Sequence, residues 1–349
     1  MGLKTTLLLS LALSGATLWA QEEPAAPAPP KELKKFDRMI GTWAGSGTAT
    51  MAPGMEASPW TSMSRTRPVM NGFFLEEVTV IDVGPMLPAP LVFRSFFGFD
   101  TQTKRYLSCA AGNMGGVSTT RIHWADDDTM ISVESGVEEG NVVVDRWVTN
   151  LGTDSYSFFG HRAVGAGEFF IHVSGEMKRT DEPFKAPALE TVPGLAPASA
   201  EMQKLNRMAG SYRFKGSLQM MPDVPVMDIS GTEELDALFG GGVLQASVKG
   251  DPMPLGAYEG WSAIAWSPDK DCYTTVFVNN MGEIGEAEMR WVGDQLVSTG
   301  SMLRMGQPSV MRGTLDFDEQ GVITKVEMHS LVGTAPPMRD FEATYKKLK

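Results

Sequence analysis

The chain repeats itself, and that bounds its fold more tightly than any single motif. Lys35-Phe36-Asp37-Arg38-Met39-Ile40-Gly41-Thr42-Trp43 reappears as Lys204-Leu205-Asn206-Arg207-Met208-Ala209-Gly210-Ser211-Tyr212, the second match following the first by 169 residues, from position 35 to position 204. At the same spacing Gly72-Phe73-Phe74-Leu75-Glu76 meets Gly241-Gly242-Val243-Leu244-Gln245. Tyr106 then meets Tyr273, Asn113-Met114-Gly115 meets Asn280-Met281-Gly282, and Trp124 meets Trp291, two residues closer. Collinear matches across most of both halves mean duplication, so whatever one half folds into, the other folds into as well.

The boundaries follow from composition. Positions 1–20 read as a signal peptide, with Lys4, an apolar run from Leu7 to Leu13 and small residues before a cut after Ala20. Positions 21–30 form a Pro/Ala-rich linker, 31–180 the first copy, 181–200 a Pro-rich linker with Pro183, Pro187, Pro193 and Pro197, and 201–349 the second copy. The apolar run is too short to span a bilayer in the mature protein and no later stretch is longer, so the expectation is a soluble protein exported to the periplasm or beyond, without a transmembrane segment.

Each copy opens with a short helical pattern: Leu33, Phe36 and Ile40 after Pro30, and Met202, Leu205 and Met208 after a cap at Ser199. Beyond it nearly everything reads as strand. In the first copy the runs are Gly72 to Ile81, Leu91 to Phe99, Arg105 to Ala110, Val117 to Trp124, Met130 to Glu134, Val142 to Val148, Tyr156 to Arg162 and Phe169 to Lys178. Phe99 to Lys104 and Trp266 to Lys270 read as hairpin connections. Ile122 and Trp124 share one face against Arg121 and His123; Phe169, Ile171, Val173 and Met177 alternate with His172, Ser174, Glu176 and Lys178. Short strands with no helices between them predict an all-β fold, two tandem antiparallel β-barrels each preceded by a short helix.

The helix, Gly41-Thr42-Trp43, the strand Gly72 to Glu76 and Gly98-Phe99-Asp100 through Tyr106 together resemble the bacterial family called domain of unknown function 1579, of the lipocalin-like (calycin) type, present here as two copies. In the second copy Tyr212 replaces Trp43. The resemblance implies a calycin barrel with the Gly-x-Trp tryptophan across its closed end, and implies no activity. The opening from Gly41 to Gly47 is also similar to that of nitrobindins, which hold haem through a late histidine; here the late histidines fall on the polar parity, so no cofactor is expected.

Charge and motifs narrow the chemistry mostly by exclusion. The precursor carries 30 basic and 42 acidic side chains, a net charge of −12 that loss of Lys4 takes to −13, with no basic run, which argues against a nucleic-acid partner. The catalytic spacings of nucleophile elbows, zincins and phosphate loops are absent, and no catalytic residue is assigned. The acidic pairs Glu76/Glu77, Glu138/Glu139 and Glu233/Glu234, with Asp126 to Asp128, read as solvated surface groups. Only four histidines occur, His123, His161, His172 and His329, all on polar parities, and no metal site is expected. The 23 methionines, Met220, Met221, Met302 and Met305 among them, lack the pairing that copper binding needs and suit an apolar interior. Cys109 and Cys272 fall at non-matching positions of the copies; the pair reads as two buried thiols, with a bridge between the copies as the other outcome.

The expected function is capture of a small apolar or amphipathic ligand inside one or both barrels, with Trp43, Phe74, Trp124, Tyr212 and Trp291 as candidate lining or closing residues. Two alternatives stand beside it: a non-catalytic scaffold that meets an envelope protein partner, marked by apolar area outside the barrels, and an exported hydrolase or isomerase with a site at a barrel mouth.

Overall fold

A computed structural model describes residues 28–348 except 139, 220–224, 253–255 and 305. The first copy is a closed barrel of ten strands: β1 (Gly41–Ala49), β2 (Ser58–Val69), β3 (Phe74–Asp82), β4 (Leu91–Asp100), β5 (Arg105–Gly112), β6 (Gly116–Trp124), β7 (Thr129–Glu138), β8 (Asn141–Leu151), β9 (Ser155–Val164) and β10 (Phe170–Arg179). The second repeats it with β11 (Gly210–Leu218), β12 (Met227–Leu238), β13 (Val243–Gly250), β14 (Glu259–Ser267), β15 (Cys272–Asn279), β16 (Ile284–Val292), β17 (Gln295–Arg304), β18 (Gln307–Phe317), β19 (Ile323–Val332) and β20 (Met338–Lys347). Every strand pairs antiparallel with its sequence neighbour, and the first closes on the last. Closure gives every strand a hydrogen-bonded partner on both sides. The proposed signal and most of the first linker lie outside the described residues, as do Glu139, Met220, Met221 and Met305.

One end of each barrel is plugged by the helix that precedes it. In the first copy this is a 3₁₀ helix, Lys31–Met39, whose buried residues Leu33, Phe36 and Met39 fall three apart, the period of that helix. In the second it is an α-helix, Ala200–Leu205, capped by the Ser199 hydroxyl, which accepts a hydrogen bond from the Met202 amide at 3.1 Å. Gly41 and Gly210 make the step from helix to first strand at φ +140° and +142°; a side chain there would strike Arg179 or Lys347, which reach across the plug.

The two barrels are packed into one body. β3 to β6 turn outward-facing apolar side chains toward β13 to β16, and one continuous buried cluster draws Phe74, Phe96 and Cys109 from the first copy and Val243, Trp261 and Val276 from the second. The rings of Phe96 and Trp261 lie 4.4 Å apart. The Pro-rich linker is part of this junction: Val192 is buried in the cluster, and the Leu195 amide donates to the Asn113 carbonyl at 2.9 Å. Cys109 and Cys272 are free thiols, both buried.

Candidate functional site

The register fixes which side chains look inward. Trp43 is paired with Ser64 and Arg179, and Ser64 with Thr79, so these four face the axis of the first barrel. Carrying the parity round, Ser95, Ser108 and Thr120 also face in. These are small polar residues, and each keeps surface that a water molecule can touch although it points at the middle of the barrel. Glu77 shows the same pairing of properties, being enclosed by protein yet accessible. Inward-facing residues that keep accessible surface border open space within the barrel wall.

The hollow has a floor at the helix end. Trp43 donates from Nε1 to the Met39 carbonyl at 2.8 Å, packs edge-on against Tyr156 at 5.0 Å and lies under the Arg179 guanidinium at 4.5 Å. Trp124 packs under the helix against Phe36, with Lys35 over its ring. Glu77 stands on this floor, accepting from the Thr66 hydroxyl at 3.4 Å, and burial raises its carboxyl above the ordinary range. Burial, with the Glu77 charge adding to it, pushes the Tyr156 phenol well above its usual value.

At the other end, the mouth, the structure corrects the reading of His172 as a surface group. A β-bulge in β10 between Ile171 and Val173 breaks the alternation on which that reading rested. Phe169 and Ile171 are left exposed on the outside, and the His172 imidazole lies inside, over Gly160 and 5.0 Å from the Trp147 ring. Its Nε2 is 3.5 Å from Asp145 Oδ1, beyond hydrogen-bonding range in this geometry, and both atoms are buried without a partner. Burial first, then the nearby Arg162, lowers the His172 pKa to about 4, while burial raises Asp145 despite Arg162. Arg162 also pairs with Glu138. Nε2 lies so close over Gly160 that a methyl group on that residue would sit 2.5 Å from it.

The second barrel keeps the plan and changes the residues. Tyr212 takes the place of Trp43 and donates to the Met208 carbonyl at 2.7 Å, with Lys347 over its ring. Trp291 packs on Phe317, donates to the Tyr273 hydroxyl at 3.2 Å and lies 3.8 Å beneath the Lys204 ammonium. At the mouth, the bulge of β20 turns Asp340 inward where the first copy has His172; Arg304 and Ser330 donate to it at 2.7 and 2.9 Å. On the floor Glu233, paired with Tyr212 and therefore inward-facing, hydrogen-bonds Tyr345, and burial raises its pKa to about 7. So Glu76/Glu77 and Glu233 are not the surface groups their sequence context suggested. Glu77 and Glu233 line hollows, and Glu76 is buried in the junction, where burial raises its pKa but Arg94 and Arg67 outweigh it and leave it lowered.

Both walls carry a seam in the same place. β6 and β7 pair only over Arg121–Trp124 and Met130–Val133, and β16 and β17 only over Glu288–Val292 and Gln295–Thr299. In the second barrel the seam widens into a cleft of about 470 Å³ where inward-facing Ala287, Gly300 and Met311 meet outward-facing Glu286, Glu288 and Thr299.

Of the five aromatic residues read from the sequence, Trp43, Trp124, Tyr212 and Trp291 gather at the helix-plugged floors. Phe74 has the outward parity and stands in the junction, away from either hollow. The hollow's own lining was missed because it is serine and threonine, which leave no apolar alternation.

The profile of the family described as "Protein of unknown function (DUF1579)" matches residues 28–142 and 197–286. No curated protein matches the sequence. Among solved structures, Rv2717c from M. tuberculosis is similar at 12% identity and TM-score 0.34, covering 44% of this chain and 99% of its own. A DUF3598-family protein of unknown function from Nostoc punctiforme is similar at 10% identity and TM-score 0.28, covering 91% and 100%. A protein described as a putative outer membrane protein from Bacteroides fragilis is similar at 10% identity and TM-score 0.20, covering 90% and 99%. At scores this low nothing is carried over from those chains. Among the described residues no helix is long and apolar enough to cross a membrane, and no group of histidine, cysteine or carboxylate side chains has a metal-holding arrangement.

Proposed function

The chain belongs to the DUF1579 family, and from that premise we propose that it captures a small amphipathic molecule inside its barrels, after export and removal of a signal peptide ending at Ala20. The observation that carries the reading is the hollow: Ser95, Ser108, Thr120 and Glu77 face the axis and remain accessible. A ligand's apolar part would rest on the inward aromatic surface of Trp60, Phe158 and Trp147, where each Å² removed from water is worth about 25 cal/mol. Its polar part would meet unpaired groups such as Asp145 Oδ1 and His172 Nε2.

The mouth does not favour hydrolysis. His172 and Asp145 have perturbed pKa values, but His172 Nε2 has no hydrogen-bonded hydroxyl or thiol to activate. The partner-binding reading has one observation in its favour, the exposed apolar side chains Val133, Val137, Val142, Phe169 and Ile171 on the outer wall of β7 to β10 and beside it. The test of the carrier reading is native mass spectrometry of protein purified without detergent, followed by titration with 1-anilinonaphthalene-8-sulfonate. Added mass that denaturation removes, or saturable enhancement of the dye, is the expected result. A bare polypeptide mass together with no dye binding would sink it.

A further inference from the structure

We propose that each hollow is built for the basic nitrogen of an amphipathic amine, which the floor carboxyl, Glu77 in the first barrel and Glu233 in the second, receives beneath the ligand's apolar tail. The inference rests on the carrier reading and names its ligand class. Its first support is that neither carboxyl has a lysine, arginine or histidine partner among the described residues, only hydroxyls: Ser64 and Thr66 beside Glu77 and Tyr345 beside Glu233. An enclosed carboxyl with no cation is costly, and the structure elsewhere supplies arginines to such groups, as it does twice to Glu76 and once to Asp340. At the floors it does not.

The second support is that the duplication kept a carboxyl on the floor while changing the strand that carries it. Gly41 is in register with Thr66 and then Glu77; the matching stations of the second copy are Gly210, Leu235 and Ala246. Its acid comes instead from Glu233, whose counterpart by register is Ser64, partner of Trp43 as Glu233 is partner of Tyr212. A group needed only for folding would have been kept or lost at one station. A group that must face the hollow can move to the neighbouring strand. The third is the company: Tyr156 beside Glu77 and Tyr345 beside Glu233 offer ring faces, which attract a cation and repel a carboxylate. The net charge of −12 draws cations toward the protein.

The experiment uses the full chain and three probes with the same apolar tail: decylamine, decanol and decanoate, titrated calorimetrically at neutral pH. Decylamine is expected to bind about tenfold or more tighter than decanol, the scale of a desolvated cation held over aromatic rings, and decanoate weakest of the three. In the double variant Glu77→Gln, Glu233→Gln the advantage of the amine over the alcohol should vanish, and a far-ultraviolet circular dichroism spectrum like that of the wild type shows that the variant is folded. Amine and alcohol binding alike, decanoate binding best, or an amine advantage untouched by the double variant each overturns the proposal and leaves the carrier reading standing. Failure of all three probes to bind overturns the carrier reading itself.

Discussion

At Gly160 the absence of a side chain is what lets His172 lie inside the barrel. An alanine there would place Cβ 2.5 Å from His172 Nε2, and the imidazole would have to leave the wall. Gly160→Ala is expected to cost about 1–3 kcal/mol as an overpacking change, measured by urea unfolding, and to return the His172 pKa from about 4 toward its ordinary value, measured by NMR titration. A histidine that still titrates near 4 in the variant would refute the placement. The buried titratable groups of the two copies also pull in opposite directions. His172 has a folded pKa depressed from 6.5, so the stability tied to its neutral form is present above that value and is lost as pH falls toward about 4. Glu233 has a folded pKa raised from 4.5 to about 7, so the stability tied to its protonated form is present below 4.5 and is lost as pH rises through 7. Glu233→Gln should therefore raise the melting temperature by a few degrees, about 2–4 °C, at pH 8 and leave it unchanged at pH 4; a gain that is equal at both values would mean the carboxyl is not enclosed. Neither residue was legible in the sequence. His172 was misread because alternation cannot foresee a bulge, and Glu77 and Glu233 because adjacent acids ordinarily sit in water, whereas here one of each pair faces a hollow.

The elements themselves were largely legible, and the exceptions have physical causes. β2 left no signal, since its inward residues Ser62, Ser64 and Thr66 are small and polar and Pro59 and Pro68 stand near its ends. The tract from Asp181 to Ala200 looked like a spacer because Leu189 and Val192 are too few to make a period; they pack because the junction between the barrels is already apolar. The Ser199 cap, by contrast, is local chemistry and could be read directly. The seam between β6 and β7 is a consequence no pattern reveals, since both strands run on past the point at which their pairing stops at Arg121 and Val133. Amides of Gly116–Thr120 and Glu134–Glu138 that face the seam should exchange with solvent much faster than their neighbours in β5 and β8, and the same should hold for β16 and β17. Hydrogen exchange followed by NMR resolves these alternating amides. Uniform protection along β7, equal to that of β8, would show that the seam is closed in solution and that a ligand must come in by the mouth.

For the whole molecule the junction decides whether two barrels behave as two bodies or one. The same two stations, one on the third strand and one on the fourth, meet across it from both copies: Glu76 and Arg94 in the first, Gln245 and Trp261 in the second. Arg94 donates to Glu76 at 2.8 Å and to Gln245 at 2.6 Å, and Trp261 donates to Gln245 at 2.8 Å while its ring lies against Phe96. The duplication has thus produced a pair that is complementary because the copies differ: a cation on one side meets an amide and an aromatic face on the other. Two identical copies would set Arg94 against Arg94. Trp261→Ala removes the ring contact, the cation–π contact with Arg94 at 5.5 Å and one of the two donors to Gln245. The expected cost is about 3–5 kcal/mol, typical of a large aromatic deleted from a core, and it falls on the coupling between the barrels more than on either interior. The wild-type chain should unfold in one calorimetric transition whose van't Hoff and calorimetric enthalpies agree, and the variant in two. A variant that merely melts lower, still in one transition, would place the coupling in the linker at Val192 and Leu195, which the same scan on Val192→Ala would then reveal.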